Sequence, residues 1–126
     1  MEKLIIKESL NNPKVILDPA KKRYEISGKS FPENAKSFYQ PVIDWVKTVP
    51  VTSPEKIRLP FMLDYISSSS VISVKQVLSK IKARNTEGAD IEVQWYYDPS
   101  DPDIKELGEE YEKVIGIKLQ FIERSI

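Results

Sequence analysis

From residue 31 to the end of the chain, the hydrophobic period switches back and forth between a helical and an extended repeat, and this limits the fold more than any other feature. In FPENAKSFYQPVIDWVKTV, Phe38, Val42, Trp45, Val46 and Val49 share one helical face, and Asn34 is a ready cap for it. Pro41 lacks an N–H in mid-pattern and predicts a kink or a late helix start. IRLPFMLDY then alternates, with Ile57, Leu59, Phe61, Leu63 and Tyr65 on one side. Pro60 conflicts with a fully paired central strand, so pairing is expected to begin after it or the strand to lie on an edge. A second helical stripe follows at Val71, Val74, Val77, Leu78 and Ile81, ending between Asn85 and Gly88.

IEVQWYY alternates again, setting Ile91, Val93, Trp95 and Tyr97 against Glu92, Gln94 and Tyr96. A third helix is predicted from about Pro102, capped by Asp101 or Ser100, with Ile104, Leu107, Tyr111, Val114 and Ile115 inward and Gly116 as its stop. IKLQFIE closes the chain as a strand. An α-β-α-β-α-β order implies right-handed crossovers onto parallel strands. Ahead of it, LIIKES, KVILD and RYEISG read as a meander broken at Asn11, Asn12 and Pro13 and stopped at Gly28. The expected architecture is a single α/β domain over residues 1–126, with a mixed, largely parallel sheet and three main helices.

Composition narrows the chemistry. Cysteine and histidine are both absent, which removes disulfides, thiolate nucleophiles, Cys/His zinc sites, the Ser-His-Asp triad and any histidine base. Lys plus Arg and Asp plus Glu both number 19, so the formal net charge is +0 and no long-range field draws the chain to nucleic acid or an anionic membrane. No apolar run has the length of a membrane span, and MEKLIIKESL is too short and too charged for a signal peptide. A cytoplasmic, non-enzymatic protein that needs no cofactor or metal is the expectation.

Three stretches stand out. LDYISSSSVISV places four serines where a strand gives way to a helix. Capping by Ser67 or Ser68 explains one hydroxyl. Phosphorylation is the functional alternative: a phosphate at a helix N-terminus meets unpaired N–H groups and the positive end of the dipole, and adds roughly −1.5 to −2 charges without unfolding the site. DPSDPD, with Asp98, Asp101 and Asp103, could hold a divalent cation through oxygen ligands, and a carboxylate-metal hydrolase using Asp64, Asp98 and Asp101 is the reading from another class. Its spacing matches no metal loop, and two of those aspartates precede proline, which is turn and cap chemistry. In WYYD, Trp95 and Tyr97 fall on the buried side of the alternation, leaving Tyr96 as the exposed anchor.

FPENA (31–35), VIDWV (42–46), LDYISSSS (63–70), QWYYD (94–98) and ELGEEY (106–111), in this order and at these spacings, resemble the small bacterial regulatory phosphoproteins of the SiaC type. The resemblance runs from about Pro13 to the end. It implies an architecture similar to STAS-like anti-sigma-factor antagonists, a dedicated kinase, a PP2C-type phosphatase, and a diguanylate cyclase that the unphosphorylated form binds and activates. Cyclic di-GMP and biofilm formation rise in consequence. The family's acceptor is the Thr of an Asn-Thr-Ser-Ser motif after a Tyr and an apolar residue. Here Tyr65 and Ile66 precede Ser67, Ser68, Ser69 and Ser70, which puts Ser68 on the acceptor position, with Ser67 and Ser69 as alternatives. Tyr65, Ser67, Ser69, Ser70 and Tyr96 are the expected partner contacts. Two departures stand in the motif: Ser replaces Thr, and Ser67 replaces Asn, adding a second hydroxyl beside the first. An anti-sigma-factor antagonist in a partner-switching module is the rival reading.

Overall fold

A computed structural model describes residues 1–124. Three short strands open the chain: β1 (Leu4–Ile6), β2 (Lys14–Asp18) and β3 (Arg23–Ser30), paired antiparallel in sequence order. The turn between β2 and β3 is closed by Asp18, whose carboxylate accepts from the Lys21 N–H at 3.2 Å. Then follow α1 (Ala35–Val46), β4 (Ile57–Ile66), α2 (Ser68–Glu87), β5 (Ile91–Tyr97), α3 (Pro102–Ile115) and β6 (Leu119–Glu123). The six-stranded sheet runs β1-β2-β3-β4-β5-β6, and its last three pairings are parallel. A strand order that always advances the same way, joined by right-handed crossovers, lays all three helices on one face.

The core lies between that face and the helices. Val15, Leu17, Ile26, Leu59, Phe61, Val93 and Trp95 are buried beneath Val42, Val46, Val74, Leu78 and Ile81. The opposite face carries ion pairs across neighbouring strands, Lys14 to Glu25 at 3.2 Å and Arg58 to Glu92 at 3.1 Å. The expected α/β domain with a mixed sheet and three helices is the one observed.

Five local expectations need correction. Gly28 does not end β3: with φ at +107° it sits where the β3–β4 register shifts, and the strand continues to the fully buried Ser30. At that shift Gly28 pairs with Leu63 and Lys29 with Tyr65, so Asp64 is an extra residue on β4. The alternation therefore slips, and Tyr65, expected on the core side, is 51% exposed. Pro60 lies in a central strand and not on an edge; pairing with β3 begins only at Phe61, after the proline as expected, while the earlier residues of β4 pair with β5. Of the kink or late start expected at Pro41, the late start does not occur: α1 begins at Ala35 and Pro41 lies inside it. Val114, placed inward by its spacing, is 54% exposed because the inward face of α3 is carried by Ile104, Gly108 and Tyr111.

Candidate functional site

The serine run lies at the carboxyl end of β4, where the strand turns directly into α2. Ser67 is the cap: its backbone is extended, its Oγ accepts from the Ser70 N–H at 3.2 Å, and its carbonyl accepts from the Val71 N–H at 2.9 Å. Its own N–H donates to the Ser30 carbonyl at 2.9 Å, so the end of β3 holds the entrance to the helix.

Ser70 points the other way, into the core. It is fully buried, and its Oγ accepts from Ser30 Oγ at 2.8 Å and from Ser67 Oγ at 3.0 Å. Ser30 in turn contacts the Tyr39 hydroxyl at 2.6 Å. Tyr39 is fully buried on α1, and that burial pushes its phenol up to about 12. From α3, Tyr111 donates to the Val71 carbonyl at 2.5 Å, and burial pushes its phenol well above the ordinary range. A strand and two helices thus grip the first turn of α2 through hydroxyl groups.

Ser68 and Ser69 remain on the surface. Ser69 Oγ lies 3.3 Å from Ser67 Oγ, whereas Ser68 Oγ has no hydrogen-bond partner among the described residues. The four hydroxyls are therefore unequal: one caps, one is core, one leans on the cap and one faces solvent. Ser70, expected at a partner surface, is enclosed and offers none. Tyr65 is exposed and meets the Phe31 ring edge-on at 5.7 Å.

Beside the run, the ends of β4 and β5 border a cleft of about 210 Å³ that includes Asp64, Tyr96, Asp98 and Arg124. Tyr96 is half-buried, not the exposed anchor expected, because the Arg124 guanidinium lies over its ring at 6.0 Å. Arg124 is oriented by Asp64 at 3.5 Å and by Met62 Sδ at 3.2 Å. Asp98 accepts from the Ser100 N–H and Oγ at 2.8 and 2.7 Å, the turn chemistry of its sequence. Asp101 occupies the cap position of α3 without a side-chain cap bond. Among the described residues no group of three His, Cys, Asp or Glu side chains is placed to hold a metal ion. No helix among them is long and apolar enough to cross a membrane.

Sequence reasoning passed over Ser30, Tyr39 and Tyr111 as site residues. Tyr39 had a signal, since Ala35, Tyr39, Val42, Val46 and Val49 follow helical spacing and all are buried. Ser30 had none, because its partner is forty residues away in sequence.

Fold and site together define a two-layer α/β protein, with the helices on one face, that presents an exposed hydroxyl where a central strand enters a helix. The pattern of SiaC family regulatory phosphoproteins matches residues 6–124, and the chain belongs to that family. It is 27% identical over 111 residues to an uncharacterised protein of Pseudomonas aeruginosa strain UCBPP-PA14, covering 88% of each chain. Its structure is similar to SiaC of Pseudomonas aeruginosa, with a TM-score of 0.82 at 25% identity over 100% of both chains. The crystal structure of apo-SiaC from the same organism gives the same score and identity over 99% of this chain and 100% of that one. The fold also matches, at a TM-score of 0.81 and 24% identity over 98% of this chain and 99% of the other, a crystal structure of the diguanylate cyclase SiaD in complex with its activator SiaC from Pseudomonas aeruginosa.

Proposed function

We propose that this chain is a non-enzymatic, cytoplasmic phospho-switch whose unmodified form binds and activates a diguanylate cyclase, and that phosphorylation of Ser68 ends that binding. Membership of a regulatory phosphoprotein family supports the class, and the SiaD–SiaC complex of a relative supports the partner. One observation carries the choice of residue: Ser68 is exposed and, among the described residues, unpaired at the first position of α2, while Ser67 is committed to the cap and Ser70 to the core.

The modifying step is phosphoryl transfer from ATP on a dedicated kinase. Ser68 Oγ bonds to the γ-phosphorus, the bond to the bridging oxygen breaks, ADP leaves, and the hydroxyl proton passes to a base on the kinase. A PP2C-type phosphatase reverses the state by hydrolysis. The phosphate finds unpaired N–H groups and the positive end of the α2 dipole, so the domain keeps its shape. What changes is the surface, which gains roughly −1.5 to −2 charges at the start of α2, three residues on from the exposed Tyr65. An interface that buries this edge then has to desolvate a dianion with no built partner, and the complex dissociates.

The direct test incubates the purified chain with ATP and the kinase of the SiaC system, maps the phosphate, and measures cyclase binding before and after. One phosphate on Ser68 and loss of binding is the expected result. Phosphate only outside residues 67–70, or binding indifferent to it, would overturn the proposal. Recovery of an ATP-binding anti-sigma kinase in place of a cyclase would favour the anti-sigma-factor antagonist instead.

A further inference from the structure

Four adjacent serines present a selection problem: a kinase that docks on this edge meets several hydroxyls within a single helical turn. We infer that the buried hydroxyl chain Tyr39–Ser30–Ser70–Ser67 chooses the acceptor, making Ser30 and Tyr39 specificity-determining residues although neither lies in the run. The inference rests on the phospho-switch reading above.

Proton counting carries the argument, since each hydroxyl has one proton to give and two lone pairs to receive. Ser30 donates to Ser70 at 2.8 Å, so in its 2.6 Å contact with Tyr39 the tyrosine must be the donor. The raised phenol pKa of Tyr39 keeps that proton in place at any physiological pH. Ser67 likewise donates to Ser70, at 3.0 Å, so in its 3.3 Å contact with Ser69 it must be the acceptor. Ser67 Oγ also receives the Ser70 N–H. Its proton and both lone pairs are then engaged, and no lone pair is left to attack a phosphorus atom. Ser70 is fully buried; Ser69 gives its proton to Ser67 in a long 3.3 Å contact and keeps its lone pairs, so the chain withholds Ser67 and Ser70 and leaves the exposed Ser68 and Ser69. Among the described residues, Ser68 alone of the four has neither its proton nor a lone pair in a hydrogen bond.

The chain therefore transmits a constraint from α1 and β3 to the surface. Without Ser70 Oγ, or with Ser70 turned away because Ser30 no longer holds it, Ser67 loses the acceptor for its proton and gains a free hydroxyl one residue from Ser68. Phosphorylation would then spread between two sites whose phosphates project differently from the helix entrance.

The test maps phosphate by peptide mass spectrometry in wild type, Ser70→Ala, Ser30→Ala, Ser30→Thr and Tyr39→Phe, each treated with the same kinase and ATP. In wild type the phosphate is expected on Ser68. In Ser70→Ala and Ser30→Ala the Ser67 share should rise severalfold, with a smaller rise in Tyr39→Phe, and Ser30→Thr should restore the wild-type distribution because it keeps the hydroxyl. Tyr39→Phe retains the ring and its packing, so it reads the network even where an alanine variant folds poorly. Variants that melt at lower temperature yet place phosphate on Ser68 as wild type does would overturn the inference and leave the phospho-switch intact. Failure of wild type itself to accept phosphate within residues 67–70 would strike the phospho-switch reading, and this inference with it.

Discussion

The indole of Trp95 and the backbone of Gly108 share one space: a Cβ added at Gly108 would lie 2.7 Å from Trp95 Cδ1 and Nε1. The absent side chain lets α3 settle onto β5, and the Trp95 N–H then donates to the Ile104 carbonyl at 2.8 Å. That seating places Tyr111, one turn further along α3, against the Trp95 ring and within reach of the Val71 carbonyl. A glycine in the third helix thus helps hold the first turn of the second.

Gly108→Ala tests this seating. Alanine favours a helix over glycine by about 1 kcal/mol, but overpacking costs about 1–3 kcal/mol. The clash should win because Trp95 is held by its hydrogen bond and stacked on Phe61 at 5.8 Å, and the Phe121 ring also stands 2.8 Å from the added atom. Urea denaturation should show net destabilisation. An unchanged or raised midpoint would mean that the indole moves aside freely.

The inequality of the serines predicts unequal stability effects. Ser67→Ala removes the cap and should lower stability by about 1 kcal/mol. Ser68→Ala touches an exposed hydroxyl with no partner among the described residues and should change stability by no more than about 0.5 kcal/mol. Thermal melts of the two variants side by side decide it, and equal losses would show that the cap is shared.

Ser68→Asp separates stability from function. A negative charge in the first turn of α2 complements the helix dipole, so the fold should hold or gain about 0.3–1 kcal/mol. Binding to the diguanylate cyclase should nevertheless fall, while Ser68→Ala keeps it. Calorimetric titration beside a melting curve gives both readings. Retained affinity in a stable Ser68→Asp protein would count against a switch based on surface charge.

Alkaline pH should loosen the hydroxyl network. The Tyr39 phenol is raised from 10.0 to about 12, chiefly by burial, so the native state holds a proton that the unfolded chain releases. A raised folded pKa means full stabilisation below pH 10 and progressive loss as the pH climbs through 12. Across that window the slope attributable to Tyr39 approaches about −1.4 kcal/mol per pH unit, and Tyr111 is shifted in the same direction. Tyr39→Phe should flatten the curve between pH 10 and 12, as followed by urea midpoints. An identical slope in the variant would place the titration elsewhere.

Much of the fold was legible because its signals are local. Helical stripes, strand alternation and the Asn34 and Gly116 boundaries depend on residues close in sequence, and the structure has them where the periodicities put them. The misjudged positions depend on neighbours that periodicity does not reveal. Tyr65 leaves the core because the β3–β4 register slips at Asp64, and Pro60 is tolerated because β3 pairs only beyond it. Tyr96 is covered by Arg124, which arrives from the far end of the chain.

The same division holds at the site. Sequence alone determined that a run of hydroxyls meets a helix N-terminus, that no cysteine or histidine chemistry is available, and that the pattern is that of a SiaC-type phosphoprotein. It left the four serines nearly equivalent, because side chains of one type in consecutive positions differ only in the direction each one points. Tertiary structure broke the equivalence by bringing Ser30 and Tyr39 to one side of the turn, burying Ser70 against them and drawing Ser67 into the chain. A hydrogen bond between residues forty apart exists only after the sheet and helices have packed, and the individuality of Ser68 comes from that packing.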